Sequence, residues 1–77
     1  MEEKIFEIIS IIMETNIELI NINSSSQNID NWDSLHHMQL ILAIEEEFNL
    51  EFSDQEIISM VDAQKIISVL QAKTHNE

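Results

Sequence analysis

From Ile5 onward, polar residues interrupt the apolar ones with a helical beat. Glu7, Ser10, Glu14 and Glu18 recur every three or four residues, with Ile5, Phe6, Ile8, Ile9, Ile12, Met13 and Ile17 between them. Isoleucine favours strands, but this period gathers the apolar side chains on one helical face, so helix is expected from Ile5 to Ile20. Ile11 falls on the polar side of that helix. From Ile20 to Asp33 the chain is mostly Asn, Ser, Gln and Asp around Ile22 and Ile29. Such side chains bond to nearby backbone in competition with helix, and a long loop is expected. Ser34 to Phe48 returns to helical period. Ser53-Asp54-Gln55-Glu56 has the form of a capping box and opens a short third helix. Asp62 is placed to cap a last helix with Ile66, Ile67 and Leu70 on its inner face. The expected fold is all-α: a small antiparallel four-helix bundle, one domain over residues 1–77, with a long first loop and a short third helix.

The second helix has one apolar face too many. At about 100° per residue, Leu40, Ile41, Ile44 and Phe48 share the side that must face a core. Leu35, Met38 and Leu42 gather well away from them, flanked by Gln39, Glu45 and Glu46. A short apolar stripe with an acidic rim has the form of a partner-docking surface. The plainer alternatives are ordinary surface Leu and Met, or cover from the third helix. Glu45, Glu46 and Glu47 crowd the last turn, where the helix dipole disfavours each by about 0.3–1 kcal/mol before screening. Acids placed against stability point towards binding.

Composition narrows the function. At 44% hydrophobic the 77-residue chain buries a core, though a thin one, since a domain this size hides only about 60% of its unfolded surface. Fifteen acids against three lysines leave a net charge of -12. Lys4, Lys65 and Lys73 are too scattered for a basic patch, which argues against nucleic acid and against anionic membranes. A protein with a basic surface is the expected partner, met by a monomer. There is no cysteine, hence no disulfide and no nucleophilic thiol. The longest apolar run, Leu40 to Ile44, is far short of the ~20 residues of a membrane span, and Glu2, Glu3 and Glu7 spoil a signal peptide, so cytoplasm is expected. Adjacent His36 and His37 point about 100° apart and make a poor zinc pair, His37 turned to the helix interface and His36 to the rim. Asp30 to Ser34 lacks the glycine and distal glutamate of a calcium loop, and no metal site is expected.

Ser34 stands where the loop ends and the second helix begins, among unsatisfied N–H groups and at the positive end of the dipole. A phosphate attached there is favoured, with Asp33 placed to orient the hydroxyl. Taken alone, either residue is equally an N-cap. The stretch Asp33-Ser34-Leu35, followed by Leu40 to Ala43, Ile44-Glu45-Glu46-Glu47-Phe48 and Phe52-Ser53-Asp54, resembles the acyl carrier proteins. The likeness runs over nearly the whole chain. It implies a non-catalytic carrier whose Ser34 receives 4′-phosphopantetheine from coenzyme A through a separate phosphopantetheinyl transferase, with Asp33 and Leu35 beside it. The arm's thiol would then hold an acyl group as a thioester, supplying the sulfur this chain lacks. The resemblance also implies that Leu35, Met38, Gln39, Leu42, Glu45 and Glu46 meet basic patches on acyl-loading and acyl-using enzymes. Ile44, Ile58 and Ile67 would receive a folded-back acyl chain.

The chain departs from the family's usual pattern in His36 and Gln39, where fatty-acid carriers usually have acids, and in Trp32, where they have a small residue. These departures point to a specialised carrier for a secondary-metabolite or surface-glycan pathway as readily as to fatty-acid synthesis. The rivals are an aminoacyl carrier (peptidyl or D-alanyl) and an unmodified acidic helical adaptor.

Overall fold

The computed structural model describes residues 2–74, so Met1 and residues 75–77 of the expected single domain lie outside the described residues. Four α-helices follow one another: α1 Glu2–Ile12, α2 Ser34–Phe48, α3 Asp54–Ser59 and α4 Ala63–Thr74. No strand occurs among the described residues; Ser25 and Asp62 make an isolated antiparallel bridge. The fold is the expected all-α bundle with a long first loop and a short third helix.

α1 buries Ile5, Ile8 and Ile9 at helical spacing and packs on α2 and α4. The expectation of helix as far as Ile20 is corrected here, because α1 ends at Ile12 and a separate 3-10 turn spans Ile17–Leu19. Glu14 adopts a left-handed conformation with φ 54°. The Thr15 N–H then reaches Ser10 O at 3.0 Å and the Glu14 N–H reaches Ile11 O at 3.3 Å, the two bonds of a Schellman stop. The freed Met13 carbonyl accepts from Asn31 Nδ2 at 2.7 Å, a partner 18 residues away. Asn16 caps the 3-10 turn by accepting from the Glu18 N–H. Ile17, expected on the inner face, is therefore exposed. The helical period is genuine, but the loop offers the backbone better partners than another helical turn does.

Because a non-glycine residue in the left-handed region costs about 1–2 kcal/mol, Glu14→Gly should stabilise the protein. We expect a gain of about 1 kcal/mol, read as a higher urea midpoint with an unchanged slope. An unchanged or lower midpoint would show that the Glu14 side chain contributes more than its backbone strain costs.

The polar loop is a structured strap. Ile20, Ile29 and Trp32 are buried with the helices' apolar side chains in one core. Ser24, also buried, accepts from the Asn21 N–H, and its carbonyl accepts from the Ala63 N–H at the start of α4. Asn49, with φ 55°, closes α2 in the one other left-handed position among the described residues.

α3 begins with the expected capping box: Ser53 and Glu56 each accept from the other's backbone N–H. Lys73 near the end of α4 donates to both Glu56 oxygens at 3.0 and 3.2 Å and lies over the Phe52 ring. The Ser53 N–H, and after it the Lys73 ammonium, hold the Glu56 carboxyl below its usual range. A lowered folded value means stabilisation that is complete above the ordinary value of 4.5 and lost as pH falls through the lowered one. Glu56→Gln keeps the capping acceptor and removes the charge. Its urea midpoint should fall less steeply with acidification than that of the wild type; parallel curves would show that this contact carries no pH-dependent stability.

Candidate functional site

The start of α2 is built from the loop side and the helix side together. Asp33 is the N-cap: its Oδ1 accepts from the His36 N–H at 2.9 Å, and its carbonyl accepts from the His37 N–H at 2.8 Å. The same Oδ1 lies 2.8 Å from His36 Nδ1. The His36 backbone N–H, and after it the His36 ring, hold the Asp33 carboxyl below its usual range, so it is ionised at neutral pH. With capping done by Asp33, Ser34 has no structural duty. It is exposed, and no described residue hydrogen-bonds its hydroxyl.

Ser34 opens onto a cleft of about 490 Å³ between the end of the loop, α2 and α3, whose apolar lining includes Trp32, Met38, Ile57, Ile58 and Val61. Of the three residues assigned to an acyl pocket, Ile58 lines this cleft and is 75% exposed. Ile44 and Ile67 lie deeper, in the core. Sequence periodicity marks a residue as apolar and inward; it does not say which inward residues share a cleft. Ile57 and Val61 were not singled out by the sequence for this reason, since α3 itself and the turn after it bring them there.

The apolar stripe expected to dock partners is open to solvent, with Leu35 65%, Met38 45% and Leu42 60% exposed. α3 leaves them uncovered. Gln39 and Glu46 are exposed beside them, whereas Glu45 is half-buried and its Oε2 accepts from the Phe52 N–H at 2.8 Å. Glu45 thus fastens the α2–α3 connection, a role that its place in an acidic run hides. Glu47 lies 3.8 Å from Lys4 on α1. Among the described residues no cluster of His, Cys, Asp and Glu is suited to hold a metal ion, and no helix is long and apolar enough to cross a membrane.

His37 has a place that its sequence position only hinted at. The Trp32 Nε1–H donates to His37 Nδ1 at 3.1 Å, and the two rings stack at 24° with centroids 6.3 Å apart. On its far side, Nε2 of His37 lies 3.3 Å from the Ile57 carbonyl of α3.

No model of a known protein family matches the chain. Its relatives are nonetheless consistent. An acyl carrier protein of Buchnera aphidicola subsp. Schizaphis graminum (strain Sg) is 40% identical over 73 residues, spanning 95% of this chain and 92% of the relative. The acyl carrier protein of Buchnera aphidicola subsp. Acyrthosiphon pisum (strain Tuc7) is 46% identical over 41 residues, 53% of this chain and 51% of its own length. Among solved structures, a candidate acyl carrier protein from Mycobacterium tuberculosis superposes with a TM-score of 0.83 at 25% identity, over 94% of this chain and 96% of that one. A four-helix fold and a 40% identical relative matched along almost its full length agree: this chain belongs to the acyl carrier protein family.

Proposed function

We propose that this protein carries acyl groups as thioesters on a 4′-phosphopantetheine arm attached to Ser34 and delivers them to partner enzymes. The observation that carries this reading is Ser34 itself, an exposed hydroxyl freed from capping at the head of α2, between an apolar cleft and an apolar stripe. The site suits the arm. The Ser34 and Leu35 N–H groups have no partner among the described residues and lie at the positive end of the α2 dipole, where a phosphodiester is favoured. The arm supplies the thiol that takes up the cargo.

The chain's own residues divide the remaining work. Asp33, ionised and held by His36, fixes the first turn and presents a carboxylate beside the hydroxyl to a separate phosphopantetheinyl transferase. Leu35, Met38 and Leu42 supply the apolar contact to partner enzymes, while Gln39 and Glu46 supply the polar rim that selects basic patches. Glu45 contributes charge to that rim while its carboxylate holds Phe52. The cargo rests in the cleft beside Ser34, with Ile58 at its lip and Ile44 and Ile67 beneath. The chain acts as a monomer of one domain in the cytoplasm. His36, Gln39 and Trp32 favour a specialised pathway over general fatty-acid synthesis.

Intact mass spectrometry after incubation with coenzyme A and a promiscuous phosphopantetheinyl transferase tests the reading. Gain of one phosphopantetheine is expected. No gain, from folded protein that starts unmodified, would leave only the acidic adaptor.

A further inference from the structure

Two ring nitrogens and one indole decide the state of His37. The Trp32 indole N–H can only donate, so Nδ1 of His37 must accept and carries no proton. The ring proton then sits on Nε2, facing the Ile57 carbonyl, which can only accept. The imidazole is thereby a directional link: loop to α2 through Trp32, α2 to α3 through Ile57. Trp32 is 5% exposed, so losing its partner would leave a nearly buried donor unsatisfied.

This link lies in the wall of the cleft next to Ser34, for Trp32, His37 and Ile57 all line it. Below the wall the core is closed: Leu40, Ile44, Met60 and Ile66 have no solvent exposure. α3 has six residues, none of them fully buried: Ile57 packs half-buried against the core, while the bond from His37 and the Glu56–Lys73 pair tie the helix to α2 and α4. A cargo too long for the open cleft must lift α3 from α2 to reach Ile44 and Ile67, and lifting α3 breaks the bond from His37 to Ile57.

We propose that His37 is a positioning residue that limits cargo depth: by linking Trp32 to the Ile57 carbonyl it holds α3 on α2 and confines the acyl chain to the open cleft beside Ser34. The selection follows directly. Short acyl groups are accommodated without disturbing the bundle, while long ones gain no further burial and stay exposed to solvent and partner enzymes.

The proposal rests on the carrier reading, and the experiment separates the two. Protein is first converted to the phosphopantetheine form; if the wild type gains no mass, the carrier reading fails and takes this proposal with it. Wild type, His37→Leu and His37→Gln are then loaded with butyryl or dodecanoyl groups, and thioester cleavage by hydroxylamine is timed. In the wild type the two chains should react within about twofold of each other, while His37→Leu should slow the dodecanoyl thioester at least about fivefold relative to butyryl. His37→Gln, which retains an acceptor and a donor, should behave as the wild type. A dodecanoyl group already protected in the wild type, or a Gln variant that behaves like Leu, would overturn the proposal. Should the Leu variant not fold, nitrogen NMR of the wild-type imidazole decides: the proton must be on Nε2, and a proton on Nδ1 instead would rule the latch out.

Discussion

Ser34→Ala should take up no phosphopantetheine from coenzyme A under conditions where the wild type is fully converted. The substitution removes one oxygen, and that oxygen is the proposed attachment point. Stability should barely change. The residue is exposed, its hydroxyl has no partner among the described residues, and the N-cap is supplied by Asp33. Surface changes of that kind stay within about 0.5 kcal/mol. The pairing of total loss of modification with an unchanged urea midpoint distinguishes a carrier serine from a structural one. Uptake by the Ala variant would move the attachment to another hydroxyl, and retained cellular function in that variant would favour the unmodified adaptor.

Trp32→Ala should be the most destabilising single change in the loop, costing about 3–5 kcal/mol. A chain of 77 residues has about 4–12 kcal/mol in total, so the variant should lose at least about a quarter of its stability. The ring is 5% exposed, packs in the main core with Ile20 and Ile29, and stacks on His37. Trp32→Phe should recover most of the loss, keeping an aromatic ring and giving up a hydrogen bond of about 1 kcal/mol. Because this is the chain's single tryptophan, unfolding must be followed by far-ultraviolet circular dichroism rather than fluorescence. A loss below about 1 kcal/mol for the Ala variant would mean that the loop end is not part of the core it closes.

Both predictions concern neighbouring residues, yet the sequence spoke to them unequally. Asp33-Ser34-Leu35 at the junction of a polar loop and a helical period marked the proposed modification site. Trp32 stood out in the sequence only as a departure from the family's pattern, and the structure buries it in the core and bonds it to His37 across the helix start. Glu45 is similar. Its neighbours Glu46 and Glu47 are exposed, whereas its own carboxylate serves the Phe52 N–H.

Legible from the residues alone were the helices' inner faces, the capping box at Ser53, the stripe of Leu35, Met38 and Leu42, and the strong acidity. These are properties of spacing and charge within a single segment, where a period of 3.6 residues relates each side chain to the next. Tertiary structure alone decided where α1 stops, which apolar residues line the cleft beside Ser34, and what His37 holds. Each of those depends on a partner brought from another element: Asn31 for the Met13 carbonyl, Val61 and Ile57 for the cleft, Trp32 and the Ile57 carbonyl for the imidazole. A periodic pattern carries no record of such pairings, because a buried polar group takes whichever partner the packed chain places within reach.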